Sequence, residues 1–381
     1  MTRVLFWLAG CLVGYTYVGF PALVLVRAGL RPRPHRCAPV TPSVSVVVAA
    51  RNEAAVIATK VDNLLGLDYP ADRLDVVVAS DGSEDATVAA ALERGDERVR
   101  VLDLPRVGKA NALNAAVAWA GGQVLVFTDA NSLLSRRALR ALVAPFADPE
   151  VGGVAGDQRY IRGGRAAAVA RGERRYWQLD RALKRAESRG GNVISATGAI
   201  YAIRRELFRR TPPGVTDDFA VSTAVICAGR RLVFAAGAVA YEPVGVSAGV
   251  EFERKVRVMT RGLNAVLLRR ELLDPRRHGF YALQLFSHKV LRRLMAAPLV
   301  VMMATGARLA RRGSAYRLVA LAEGALLGLG AAGLAARRRA RAARLLALPA
   351  YFCLVNLASL RAVVNVVRRR PIERWEPRRE R

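Results

Sequence analysis

The chain has 381 residues, 52% of them hydrophobic, and a formal charge of +29; that length allows one large core plus accessory segments. Five Lys stand against 55 Arg, spread along the chain and not interleaved with aromatics in one stripe, which argues against nucleic acid and favours an anionic membrane as partner for the charge. Cys11, Cys37, Cys227 and Cys353 share no CxxC spacing, and His35, His278 and His288 do not cluster, so neither a disulfide framework nor a zinc site is expected.

In chain order, residues 4–26 carry no charge and are flanked by Arg3 and Arg27. At 1.5 Å per residue this run crosses a hydrocarbon core of about 30 Å. A signal peptide would have a shorter apolar region, and the lipoprotein-like "LAGC" at 8–11 is followed by more apolar sequence, so residues 1–30 are expected to anchor the chain in a cell membrane. A Pro/Arg-rich linker follows at 31–42, and its positive charge predicts that this side, with the next domain, is cytoplasmic.

From residue 43 strands and helices alternate. "SVSVVVAA" (43–50), "LDVVVAS" (74–80), "VRVLDLP" and "QVLVFTDA" read as strands; "EAAVIATKVDNLLG", "EDATVAAALERG", "KANALNAAVAWA" and "SRRALRALVAPFA" read as the helices between and after them. This rhythm predicts an α/β fold, a mostly parallel sheet with helices on both faces, over 43–250. Ligands bind such sheets beyond the carboxyl ends of the strands. The polar clusters Arg51-Asn52-Glu53, Asp81-Gly82-Ser83 and Asp129-Ala130-Asn131 stand at those ends. Over 43–250 neither GxGxxG nor GxxxxGK[ST] occurs, so neither a dinucleotide fingerprint nor a P-loop explains these clusters. Residues 251–293 mix apolar and basic positions at helical spacing, as for helices lying on a membrane face or packed on the preceding domain. Apolar runs at 294–307 (short), 318–336 and 345–360 predict further membrane segments over 294–381 with a basic tail; the number of spans and the side of the tail stay open.

"VSVVVAARNEAAVIATKVDNLL", "VVVASDGSEDAT", "GKANALNAAV", "VFTDANSLL", "ISATGAIYAIRRELF", "VTDDFAVST" and "RKVRVMTRG" occur in this order over about 43–290. Together they resemble the family 2 glycosyltransferases of the GT-A (Rossmann-like) fold, and the flanking apolar runs are similar to those of membrane polysaccharide synthases in that family. The resemblance implies a nucleotide-sugar donor, most often a UDP-sugar, and a glycan or lipid-linked acceptor. It places Glu53 and Asp81 on the nucleoside, Lys109 beside the nucleotide and Gly198 beside the donor sugar. The family's Asp-x-Asp reads here as Asp129 and Asn131, so Mg²⁺ or Mn²⁺ would be held by one carboxylate and one amide oxygen, with the diphosphate supplying most of the charge. Asp218 falls on the family's catalytic base, and Asp217 beside it would raise its pKa. One displacement at C1 would invert the anomeric configuration.

Processive members carry QxxRW, where this chain has Arg254, Arg257 and Val258. Arg254 and Arg257 are still expected to meet the diphosphate, but the missing Trp removes a stacking platform and puts single transfer on a par with chain extension. Residue by residue, plainer readings exist: a helix-terminal acid for Glu53, an Asx turn for Asp81, a solvated Lys109, helix-capping acids at 217 and 218. Two rival functions follow. One is a nucleotidyltransferase, opposed by the lack of a Gly-rich basic first loop; the other is a degenerate, non-catalytic subunit of an envelope assembly complex.

Overall fold

A computed structural model describes residues 1–160, 168–242, 248–335, 346–370 and 372, which fall into two compact units. The junction at 243–247 and nearly all of the basic tail lie outside the described residues.

The unit formed by residues 27–161 and 184–243 is built on an eight-stranded sheet. Strands β1 (Val44–Ala50), β2 (Leu74–Asp81), β3 (Val99–Leu104) and β4 (Val124–Phe127) lie parallel in the order β3-β2-β1-β4. Every residue of β1 is buried, and so is all of β2 except Asp75. A fully buried Val contributes roughly 1.5–3 kcal/mol, and a run such as "VSVVVAA" collects that gain only where helices cover both faces. Helix Ala54–Leu65 supplies part of the cover, turning Ile57, Val61 and Leu64 into the core.

Beyond β4 the sheet changes character. It continues through β5 (Leu133–Leu134), β6 (Val151–Tyr160), β7 (Tyr201–Arg204) and β8 (Arg231–Glu242) in the order β7-β6-β8-β5. Strand β7 is antiparallel to both β4 and β6, β5 is antiparallel to β8, and β8 is parallel to β6. The regular parallel rhythm read from sequence therefore describes β1–β4, and the half contributed by residues 133–242 is mixed.

Register decides where the polar residues go. Ala50 pairs with Ser80, and Val47 with Phe127, so the carboxyl ends of β1, β2 and β4 open on one edge. Because β7 runs the other way, the segment before it reaches the same edge, where the Asp129 N–H donates to the Gly198 carbonyl at 3.1 Å.

The other unit is helical, comprising residues 1–26, 162–183 and 244–372. Thr2–Leu30, Ser314–Ala335 and Ala347–Val367 are each long and apolar enough to cross a membrane, and Phe280–Leu294 with Ala296–Arg312 makes a further pair bent by 54°. The chain is a multi-pass membrane protein. Residues 296–307 of the short run at 294–307 lie in the second limb of that bent pair. Helix Ala248–Leu268 starts ahead of the expected boundary at 251; its Phe252 packs on Ala350, Tyr351 and Leu354, and Asn365 donates to Thr260 at 3.4 Å. Its described packing thus includes the helix Ala347–Val367.

Candidate active site

Asp81 closes β2 and is 1% exposed. Its Oδ1 accepts from the Val107 and Gly108 N–H groups at 2.7 and 2.8 Å. It therefore ties β2 to the loop after β3 and does not fold back into an Asx turn. Arg51 holds the neighbouring backbone, donating to the Asp81 and Gly82 carbonyls at 2.9 and 3.1 Å. Gly82 has φ +59, and a Cβ there would stand 2.8 Å from the Arg106 nitrogen, so the turn requires glycine. Glu53 is buried at the N-cap of helix Ala54–Leu65, where its backbone carbonyl receives the Val56 and Ile57 N–H groups and its side chain makes no capping bond.

Lys109 opens the helix Lys109–Trp119 and bridges two segments far apart in sequence. Its Nζ lies 2.9 Å from Asp129 Oδ1, beyond β4, and 3.1 Å from Asp217 Oδ2, at the start of helix Asp217–Cys227. Burial works against the ammonium, but the two carboxylates outweigh it and hold the Lys109 pKa above its ordinary value. For Asp129, burial pushes the pKa up, and Lys109, followed by the more distant Lys60, overrides this to hold it below the usual carboxylate value. The site is a compact arrangement of charges in which each burial cost is offset by a partner.

Asp217 and Asp218 follow the N-cap residue Thr216, in the first turn of their helix, where the macrodipole favours anions. Asp218 Oδ1 accepts from the Phe219 N–H at 2.8 Å. Gly198 presses close to Asp129: a Cβ there would come within 2.8 Å of Oδ2. Asn131 is half-buried two residues further along the same turn. Among the described residues no three His, Cys, Asp or Glu side chains converge as a metal site. One carboxylate and one amide oxygen on a single turn, with the close glycine leaving Oδ2 uncrowded, nonetheless suit a hard cation that takes its other ligands from water and a diphosphate.

The structure thus joins Lys109, Asp129 and Asp217, with Gly198 against Asp129, Asn131 on the same turn and Asp218 next in chain to Asp217; Asp81 and Glu53 stand at the neighbouring strand ends. Arg254 and Arg257 belong to helix Ala248–Leu268 of the other unit, where Glu251 holds Arg254 through two contacts of 2.8 Å. Two residues escaped the sequence reading. Tyr201 is fully buried and stacks on Phe127 at 4.9 Å, and its hydroxyl has no hydrogen-bond partner among the described residues. Burial, then Asp217, Asp218 and Asp129, raise its pKa well above the ordinary value, so it stays an O–H donor. The other is Lys60, a lysine on the apolar face of helix Ala54–Leu65; its place between Ile57 and Leu64 was the available signal.

A Rossmann-like sheet whose strand-end acids meet a lysine and a helix N-terminus defines a GT-A-type site. Residues 45–211 of the chain match Glycosyl transferase family 2. It superposes on a mannosyltransferase from Pyrobaculum calidifontis, solved with GDP-Man and Mn²⁺, with a TM-score of 0.71 and 26% identity over 96% of this chain and 99% of that one. It is 26% identical over 244 residues to the probable glycosyltransferase YdaM of Bacillus subtilis, covering 60% of this chain and 57% of that protein. It is also 37% identical over 117 residues to a beta-monoglucosyldiacylglycerol synthase of Synechocystis, covering 29% of this chain and 24% of that one. The chain therefore spans about half, or less, of the length of these two curated relatives.

Proposed function

We propose that the protein is a membrane-bound, inverting, divalent-metal-dependent glycosyltransferase that moves one sugar from a nucleotide sugar to a lipid-linked or glycan acceptor in cell-envelope or extracellular polysaccharide synthesis. The observation that carries this reading is the Lys109 bridge, 2.9 Å to Asp129 and 3.1 Å to Asp217, because it brings the candidate metal-binding turn and the candidate base segment into one place.

In this reading Asp81 and Glu53 receive the nucleoside at the strand tips. Asp81 is already oriented by two backbone N–H groups, so it is preorganised for that role. Lys109, kept cationic by its neighbours, supplies fixed positive charge near the departing diphosphate. Asp218 accepts the proton from the acceptor hydroxyl as the bond to C1 forms. Mg²⁺ or Mn²⁺ held by Asp129 and Asn131 would neutralise charge on the leaving group. Arg254 and Arg257 are assigned to the diphosphate, where a planar guanidinium matches phosphate oxygens. Uridine is the nucleoside expected from the family resemblance, and the Pyrobaculum mannosyltransferase, solved with GDP-Man, makes guanosine the alternative to try beside it. The positive linker at Arg31, Arg33 and Arg36 supports a cytoplasmic catalytic domain.

Purified protein incubated with radiolabelled UDP- and GDP-sugars, Mn²⁺ and native lipid extract tests the reading. A lipid-soluble product carrying one sugar is expected. Unlabelled lipid with every donor would remove the proposal, and a high-mass product would replace single transfer by chain extension. Retention of full transfer in Asp218→Asn would favour a different base.

A further inference from the structure

Lys60 is 0% exposed, yet it carries an amine into the interior of the sheet unit. Its Nζ donates to Thr128 Oγ1 at 2.8 Å and to the Ser132 carbonyl. Those acceptors begin and end the turn that bears Asp129 and Asn131. From Thr128 the chain of bonds continues to the Ala199 carbonyl at 2.7 Å, next to Gly198, which receives the Asp129 N–H. From Ser132 it continues through its hydroxyl to Glu242 Oε1, and Gln158 donates to Glu242 Oε2. One amine therefore pins both ends of the turn and links it to β7's approach and to the end of β8.

We propose that Lys60 is a positioning residue for cation and diphosphate binding: by tying Thr128 to Ser132 it fixes the separation and aim of the Asp129 and Asn131 oxygens. The inference rests on the donor-site reading above and adds to it a residue that touches neither donor nor acceptor. The physical case is strong because a buried amine is costly. Burial lowers the Lys60 pKa to about 7, with Asp129 and Glu242 pulling the other way. An apolar side chain would fill the same space without that cost, so core packing alone gives no reason for a lysine. With only one acid on the turn, a cation site depends more on the placing of its amide oxygen, and a rigid turn supplies that placing.

The test uses the full chain in detergent and reads Mn²⁺ binding by electron paramagnetic resonance in the presence of GDP and, separately, UDP. Lys60→Met and Thr128→Val are expected to weaken Mn²⁺ binding by about 10-fold or more, the usual effect of removing the support behind a metal ligand. Thr128→Ser keeps the hydroxyl and should restore wild-type affinity. Val61→Ala, a core truncation on the same helix, should lower the melting temperature and leave Mn²⁺ affinity unchanged. Wild-type affinity in Lys60→Met would overturn the proposal, as would equal losses in Thr128→Ser and Thr128→Val. Should Lys60→Met fail to fold, the two Thr128 variants decide alone. Wild-type protein that binds no Mn²⁺ with either nucleotide overturns the donor-site reading itself, a failure distinct from wild-type binding that is insensitive to Lys60.

Discussion

Replacing Lys109 by Met keeps the length of the side chain and removes its charge, leaving Asp129 and Asp217 without the ammonium they share. Their contacts are 2.9 and 3.1 Å, at side-chain exposures of 17% for Lys109, 33% for Asp129 and 18% for Asp217. Breaking a fully buried pair costs about 3–5 kcal/mol and a surface pair about 0–1 kcal/mol, so this partly buried pair of contacts falls at about 2–3 kcal/mol. At roughly 2–4 °C per kcal/mol for a unit of this size, the melting temperature should fall by about 4–12 °C near neutral pH. The pH dependence is more diagnostic. In the wild type the Asp129 pKa lies below 3.8 because Lys109 outweighs burial, so its contribution is complete above that value and is lost as pH falls through the folded pKa. In the variant burial prevails and raises the carboxyl above its unfolded value. The folded state then binds protons more readily than the unfolded chain, and acidification relieves the buried charge. The difference in melting temperature between wild type and variant should therefore be greatest near pH 7 and shrink toward pH 4. Thermal unfolding followed by intrinsic fluorescence across that range measures it. A difference below about 1 °C, or one that does not vary with pH, would refute the shared charge arrangement.

Other outcomes follow from the same geometry. Gly198→Ala introduces a Cβ that would lie 2.8 Å from Asp129 Oδ2; the obstructing atom is the end of a side chain that can swing aside, so calorimetry should show weaker Mn²⁺–nucleotide binding with little change in melting temperature. Gly82→Ala instead meets the Arg106 backbone at 2.8 Å with φ +59, and chemical denaturation should show a loss of about 1–3 kcal/mol. Lys60, held near a pKa of about 7 when folded and 10.5 when unfolded, should make stability rise with pH between those values by up to about 1.4 kcal/mol per unit; Lys60→Met, which faces Asp129 and Glu242 without an amine, should lose that slope in a wild-type-minus-variant comparison.

The strand-end acids were legible because β1, β2 and β4 bury nearly everything they contain, so a carboxylate at the tip stands out against Val and Ala. Parallel register then brings those tips to one edge without further information. The mixed half of the sheet was less visible: β5 has two residues, β6 opens with Val-Gly-Gly, and the partners of each are set by long-range pairing with β8. Lys109 was expected beside the nucleotide, but its bridge to Asp217 depends on where the helix Asp217–Cys227 begins in space, which no local pattern specifies. Lys60 illustrates the same limit, since its acceptors lie 68 and 72 residues further along the chain. On a helix seen alone, such a lysine reads as a side chain reaching for water.

Donor binding and sugar transfer measured side by side in Asp129→Asn and Asp218→Asn test the shared site most directly. With labelled nucleotide sugar and Mn²⁺, Asp129→Asn should lose binding and transfer together. Asp218→Asn should bind as wild type and transfer about 100-fold or more slowly. Unimpaired transfer by Asp218→Asn, or undiminished donor binding by Asp129→Asn, would contradict the account.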